Sequence, residues 1–163
     1  MYKKKQKIEI FINFILAVLA IGIFHMFIAR KGALALYATE QQIPLAFPFN
    51  SLIPIWISLY LILGISGAFI YIKRATQIRS FAMASWTIQL VLCILWPISF
   101  YYIPFRVVTP IVLSILFMTN LVFMFYSFLI EKKVVLITLP FFLMVSYQMM
   151  FHWILFILNI DIV

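Results

Sequence analysis

Three groups of side chains recur at helical spacing along this chain, and their types limit the chemistry open to them. Trp56, Tyr60, Gly64 and Gly67 follow one another at intervals of four, four and three, with Pro54 just ahead. Trp86, Gln89, Cys93, Trp96 and Phe100 follow at three, four, three and four, and Met144, Gln148, His152 and Leu155 form a third stripe. Such intervals put each group on one face of a helix. Faces of this composition stack on flat apolar partners, while the indole N–H, the phenol and the amides of Gln89 and Gln148 supply orienting hydrogen bonds. A structural reading fits the same residues: Trp86 and Trp96 in interfacial aromatic belts, Gln89 as glue between helices, and Met144, Met149 and Met150 as adaptable core. Conventional acid–base or metal catalysis has no visible machinery. The sequence holds no Ser-His-Asp, HExxH, phosphate-loop or CxxC pattern, and every Asp, Glu, Lys and Arg lies at or beyond the boundary of an apolar run. His152 has no His, Cys or carboxylate at ligand spacing, so it reads as hydrogen-bonded between helices, and no metal site is expected.

The elements that must position these faces follow from composition. With 67% hydrophobic residues, 10% charged residues and a mean hydropathy of +1.18, the 163-residue chain cannot hide its apolar surface in water. An all-α membrane protein is expected, a five-helix transmembrane bundle forming a single domain over 1–163, with spans near 8–29, 51–73, 81–102, 106–130 and 134–159. The basic start MYKKKQK before an apolar run resembles a signal peptide, but the run is too long for one and reads as a retained first span. Within it, Asn13 is expected to bond a neighbouring helix and His25 to sit at the membrane interface. Residues 30–50, with Pro44 and Pro48, read as a partly ordered lid loop, Pro104 and Arg106 as a break between spans, and Pro140 as a kink in the fifth span.

Cation placement sets the orientation. Lys3, Lys4, Lys5, Lys7, Lys73, Arg74, Arg79, Lys132 and Lys133 fall on one side of the five-span layout, against Arg30, Lys31 and Arg106 on the other. That bias predicts a cytoplasmic N-terminus and an outside C-terminus. The formal charge of +8 therefore reads as topology and lipid-headgroup contact, with no nucleic-acid partner. The single cysteine, Cys93, lies inside an apolar run and allows no internal disulfide.

Order and spacing then resemble those of the TspO/MBR family, the tryptophan-rich sensory proteins of bacteria and the translocator (peripheral benzodiazepine receptor) proteins of mitochondria. The second-span pattern appears as Pro54-Ile55-Trp56, Leu59-Tyr60 and Leu63-Gly64. The third-span pattern appears as Gln89-Leu90-Val91-Leu92-Cys93-Ile94-Leu95-Trp96-Pro97 with Phe100 and Tyr101, and the fifth as Pro140-Phe141-Phe142-Leu143 with Leu158-Asn159. The likeness runs from about Leu36 to Asn159. It implies five helices around a pocket beneath the first loop, in a homodimer in a bacterial cell membrane, binding porphyrins such as protoporphyrin IX or haem and other hydrophobic aromatic ligands, with no cofactor required.

On that likeness the ligand-binding residues are Pro54, Trp56, Tyr60, Trp86, Gln89, Cys93, Trp96, Phe100, Met144 and Gln148. The chain also departs from the family. Cys93 stands at a family Asn, Met144 at the fifth-span Trp, and Gln148 at a small residue that opens the cavity; Leu36-Tyr37 replaces a Trp-Tyr start, and the fourth-span acidic residue is missing. No cation follows Lys133, so the sterol-recognition pattern is absent and sterol binding is not expected. Some relatives break down porphyrin in light through two pocket tryptophans, of which only Trp56 is kept. Binding is therefore expected ahead of turnover. A light-dependent porphyrin-degrading enzyme, a carrier and a purely structural membrane protein are the alternatives.

Overall fold

In the computed structural model the described residues are 2–37, 49–103 and 107–158, apart from the side chains of 31–37 and 49–52. They form five helices and no strand: α1 (Lys4–Tyr37), α2 (Phe49–Tyr71), α3 (Gln77–Tyr102), α4 (Val108–Ile130) and α5 (Lys132–Leu158). Each carries an apolar stretch of 19 to 27 residues, long enough to cross a membrane. Helix is the form such runs must take in hydrocarbon, because it satisfies the backbone N–H and C=O groups within the segment. Helix α1 continues to Tyr37 where the sequence had suggested an end near Ala29. Pro44, Pro48, Pro104, Arg106 and Asn159 lie outside the described residues.

Polar side chains close the helix ends. Thr76 caps α3 by accepting a hydrogen bond from the Arg79 amide at 3.2 Å. Arg79 also donates through Nη1 to the carbonyls of Tyr71 and Lys73, at 3.0 Å each, meeting acceptors that the end of α2 leaves open. Its guanidinium lies 5.5 Å from the centre of the Tyr71 ring.

Around the bundle the helices neighbour one another in the order α1, α2, α5, α4, α3 and back to α1, with a lesser α2–α3 contact across the middle. Three short polar pairs pin two of these contacts, as hydrocarbon requires of buried hydroxyls and amides. Thr138 donates to Ser66 across α5 and α2 at 3.0 Å, Ser99 donates to Thr109 across α3 and α4 at 3.2 Å, and Asn120 donates to Gln89 across α4 and α3 at 3.2 Å. Helices α1 and α2 approach closely at Gly64, where a Cβ would stand 3.1 Å from the Ile15 Cα and 3.3 Å from the Phe14 carbonyl oxygen. A side chain there would push two backbones apart.

The N-terminal segment and the α2–α3 and α4–α5 junctions share one end of the bundle. Tyr2 stacks on Tyr71 with ring centres 6.4 Å apart, and Lys73 pairs with Glu131 between α4 and α5. The hydrogen bond from Lys73, and then its charge, hold the Glu131 carboxyl below its ordinary value of 4.5. A carboxylate whose pKa is lower folded than unfolded stabilises the fold at neutral pH, and that contribution fades as pH drops below 4.5 and through the folded value. Because both side chains are part-exposed, the effect is small. In detergent, Glu131→Gln should therefore melt below the wild type at about pH 7, and the two melting temperatures should converge toward about pH 3. An unchanged gap across that range would show that the pair does not contribute through ionisation.

Candidate ligand-binding site

At the opposite end, four of the five helices bring an aromatic cluster together. Helix α2 supplies Trp56 and Tyr60, α3 supplies Trp96 and Phe100, α1 supplies His25 and α5 supplies His152. Trp56 and Trp96 stack with centroids 5.7 Å apart and planes 29° apart. His25 lies 4.9 Å from Trp56 and meets Trp96 edge-on at 5.2 Å. His152 meets Trp96 at 5.7 Å and Phe100 at 4.7 Å, edge-on in both cases. Trp56, Tyr60, Trp96 and both histidines are at most 5% exposed.

The polar atoms of this cluster divide into two sets. His25 Nδ1 and the Tyr60 hydroxyl are hydrogen-bonded at 2.6 Å, which ties α1 to α2, and Cys93 faces the same hydroxyl from α3. Among the described residues, the Trp96 indole N–H and the His152 Nε2 have no hydrogen-bond partner, although both are buried. A buried polar atom without a partner costs about 1–3 kcal/mol. These two atoms are therefore where a ligand's polar groups would gain most.

Not every residue singled out in the sequence meets here. Trp86 lies ten residues from Trp96 on α3, about 15 Å along the helix axis. Its indole rests on Gly67 and against Phe14, and its Nε1 donates to the Leu63 carbonyl at 2.9 Å. Gln89 is fully buried at the α3–α4 contact, donating to the Thr119 carbonyl at 3.4 Å and accepting from Asn120. Pro54 is exposed on α2, its carbonyl accepting from the Ser58 hydroxyl. Met144 is half-buried against the core, and Gln148 is buried one turn before His152.

Two polar residues differ from expectation. His25 is 1% exposed and central instead of interfacial, while Asn13 is exposed. The sequence does carry a signal for His25: Val18, Gly22, His25 and Ala29, at intervals of four, three and four, form the buried face of α1. His152 donates through Nδ1 to the Gln148 carbonyl of its own helix at 2.8 Å, so it does not bridge helices through that nitrogen.

If Gln89 serves the α3–α4 contact, Gln89→Leu should cost about 0.5–2 kcal/mol in unfolding free energy and leave ligand affinity unchanged. A loss of affinity at unchanged stability would return Gln89 to the binding site.

A concavity of about 340 Å³ lies elsewhere, on the outside of α4 and α5. Ile111, Ile115, Met118 and Val122 line it with Trp153, whose indole donates to Ser114 at 3.0 Å. It offers little polar chemistry and faces the surroundings of the bundle.

With five spanning helices and this cluster in place, comparison with known proteins decides the relationship. The family model described as TspO/MBR family matches residues 14–158, nearly the whole bundle. The chain belongs to the TspO/MBR family. No curated protein matches it. TspO/MBR membership makes it a multi-pass membrane protein of a family that binds hydrophobic ligands of tetrapyrrole and sterol type. The family match spans all four helices that build the aromatic cluster.

Proposed function

We propose that the protein is a membrane receptor for porphyrins and other flat hydrophobic aromatic ligands, bound at the cluster around Trp56 and Trp96. The observation that carries this reading is the buried Trp56–Trp96 stack beside an unpartnered Trp96 N–H, assembled from four helices. A ligand already dissolved in lipid gains little hydrophobic free energy on entering a bundle, so its affinity must come from packing and hydrogen bonds. Stacking on indole faces supplies the first and the Trp96 N–H the second. The His25–Tyr60 hydrogen bond holds α1 and α2 in place around the ligand. Binding, and not turnover, is the reading because Met144 stands where related photochemistry would want a second tryptophan.

By the cation bias, the N-terminus is cytoplasmic and the cluster lies toward the outer face. Dark titration of the purified chain with protoporphyrin IX, followed by tryptophan fluorescence, tests the function. Saturable quenching is expected. Its absence would leave a scaffold whose tryptophans only pack helices.

A further inference from the structure

We infer that His152 Nε2 is an axial ligand for the iron of a metallated tetrapyrrole, which deepens the binding reading above and rests on it. The state of the ring follows from its one hydrogen bond. Nδ1 lies 2.8 Å from the Gln148 carbonyl, a group that only accepts, so Nδ1 carries the proton and the lone pair of the neutral ring is on Nε2. Imidazoles that bind metals are commonly held this way, with the other N–H donated to a carbonyl that fixes tautomer and orientation.

That lone pair has no partner among the described residues, and the residue is only 4% exposed. Trp96, Phe100 and Phe151 stand edge-on to the imidazole at 5.7, 4.7 and 5.4 Å, giving an aromatic surround in which no donor among the described residues bonds Nε2. Left unmet in hydrocarbon, such an acceptor is costly.

The surroundings also select the kind of metal species. Among the described residues there is no group of three or more His, Cys, Asp or Glu that could hold a metal ion. A free divalent cation would not find the three or more protein ligands that hold one in place. A metal carried in a macrocycle brings four in-plane nitrogens and its own neutralising charge, and asks the protein for one axial donor. Histidine is an ordinary axial ligand for porphyrin iron. The same aromatic walls then pack the macrocycle.

Parallel titrations of the full-length chain with haemin and with metal-free protoporphyrin IX test this, read by Soret absorbance and by electron paramagnetic resonance of the ferric iron. His152→Ala should lower haemin affinity at least about tenfold more than it lowers protoporphyrin IX affinity, and should abolish the imidazole-ligated spectrum. Added imidazole should restore the spectrum in His152→Ala. His152→Gln, which keeps size and polarity, serves if the alanine variant does not fold. Haemin bound with an identical spectrum in wild type and variant would overturn the assignment. Wild-type binding of protoporphyrin IX with no axial-ligand signature from haemin would overturn it and leave the receptor reading standing. Binding of neither compound would overturn both.

Discussion

Trp96→Leu should weaken protoporphyrin IX binding by about one to two orders of magnitude in the dark titration. Two losses add: an aromatic stacking contact, about 0.5–1.5 kcal/mol, and a hydrogen bond from the indole N–H, about 0.5–1.5 kcal/mol. At 1.4 kcal/mol per factor of ten, their sum of about 1–3 kcal/mol gives that range. Trp96→Phe separates them, because it keeps a ring and removes only the N–H; its loss should be less than about tenfold. The control is Trp86→Phe. Trp86 has its N–H engaged by the Leu63 carbonyl in another layer of the bundle, so its replacement should leave affinity unchanged. Equal losses from Trp86→Phe and Trp96→Phe, with thermal unfolding intact in both, would refute the placement of the site.

Gly67→Ala should destabilise the bundle by about 1–3 kcal/mol, the usual range for forcing extra volume into a packed core. A Cβ at this position would fall inside the Trp86 indole, against Cε2, Cζ2 and Nε1. The indole cannot swing aside freely, since it is hydrogen-bonded to Leu63 and packed on Phe14 at 5.1 Å. Shrinking the ring should relieve the clash. In a double-mutant cycle, Trp86→Phe should therefore recover part of the stability that Gly67→Ala removes, giving strong non-additivity. Additive losses, measured by reversible unfolding in detergent, would mean that Gly67 and Trp86 do not compete for this space. A fall in ligand affinity beyond what lost stability explains would place Trp86 back at the binding site.

Together these outcomes separate two roles that tryptophan plays in this chain. Trp86 seats α3 on α2 through a glycine, and its polar atom is used in doing so. Trp96 ends with its polar atom unpaired among rings from four helices. On the proposed reading, the same residue type on the same helix serves packing in one layer and recognition in the other.

Several features follow from sequence alone. Hydropathy gives five spans, because hydrocarbon demands about twenty apolar residues per crossing whatever the neighbours are. Periodicity gives the inward faces of α2 and α3, because helix geometry fixes which residues share a side. The ordered blocks around Trp56, Gln89-to-Pro97 and Pro140 carry the family resemblance, and the family match over residues 14–158 agrees with it. His25 is not among these features: the sequence suggested the membrane interface for it, and the structure buries it with Val18, Gly22 and Ala29 on one face of α1.

Tertiary structure decided the rest. Periodicity states rotation about a helix but neither depth nor neighbour, so the stripe from Trp86 to Phe100 looked continuous while its ends belong to different layers. The neighbour order α1, α2, α5, α4, α3 sends Gln89 to α4 and brings His25, Trp56, Trp96 and His152 into contact. Nor could spacing reveal that the Gln148 carbonyl takes the His152 Nδ1 proton and leaves Nε2 open. Such facts depend on which atoms meet across helices and within a turn, and packing sets them where hydropathy and periodicity have nothing to say.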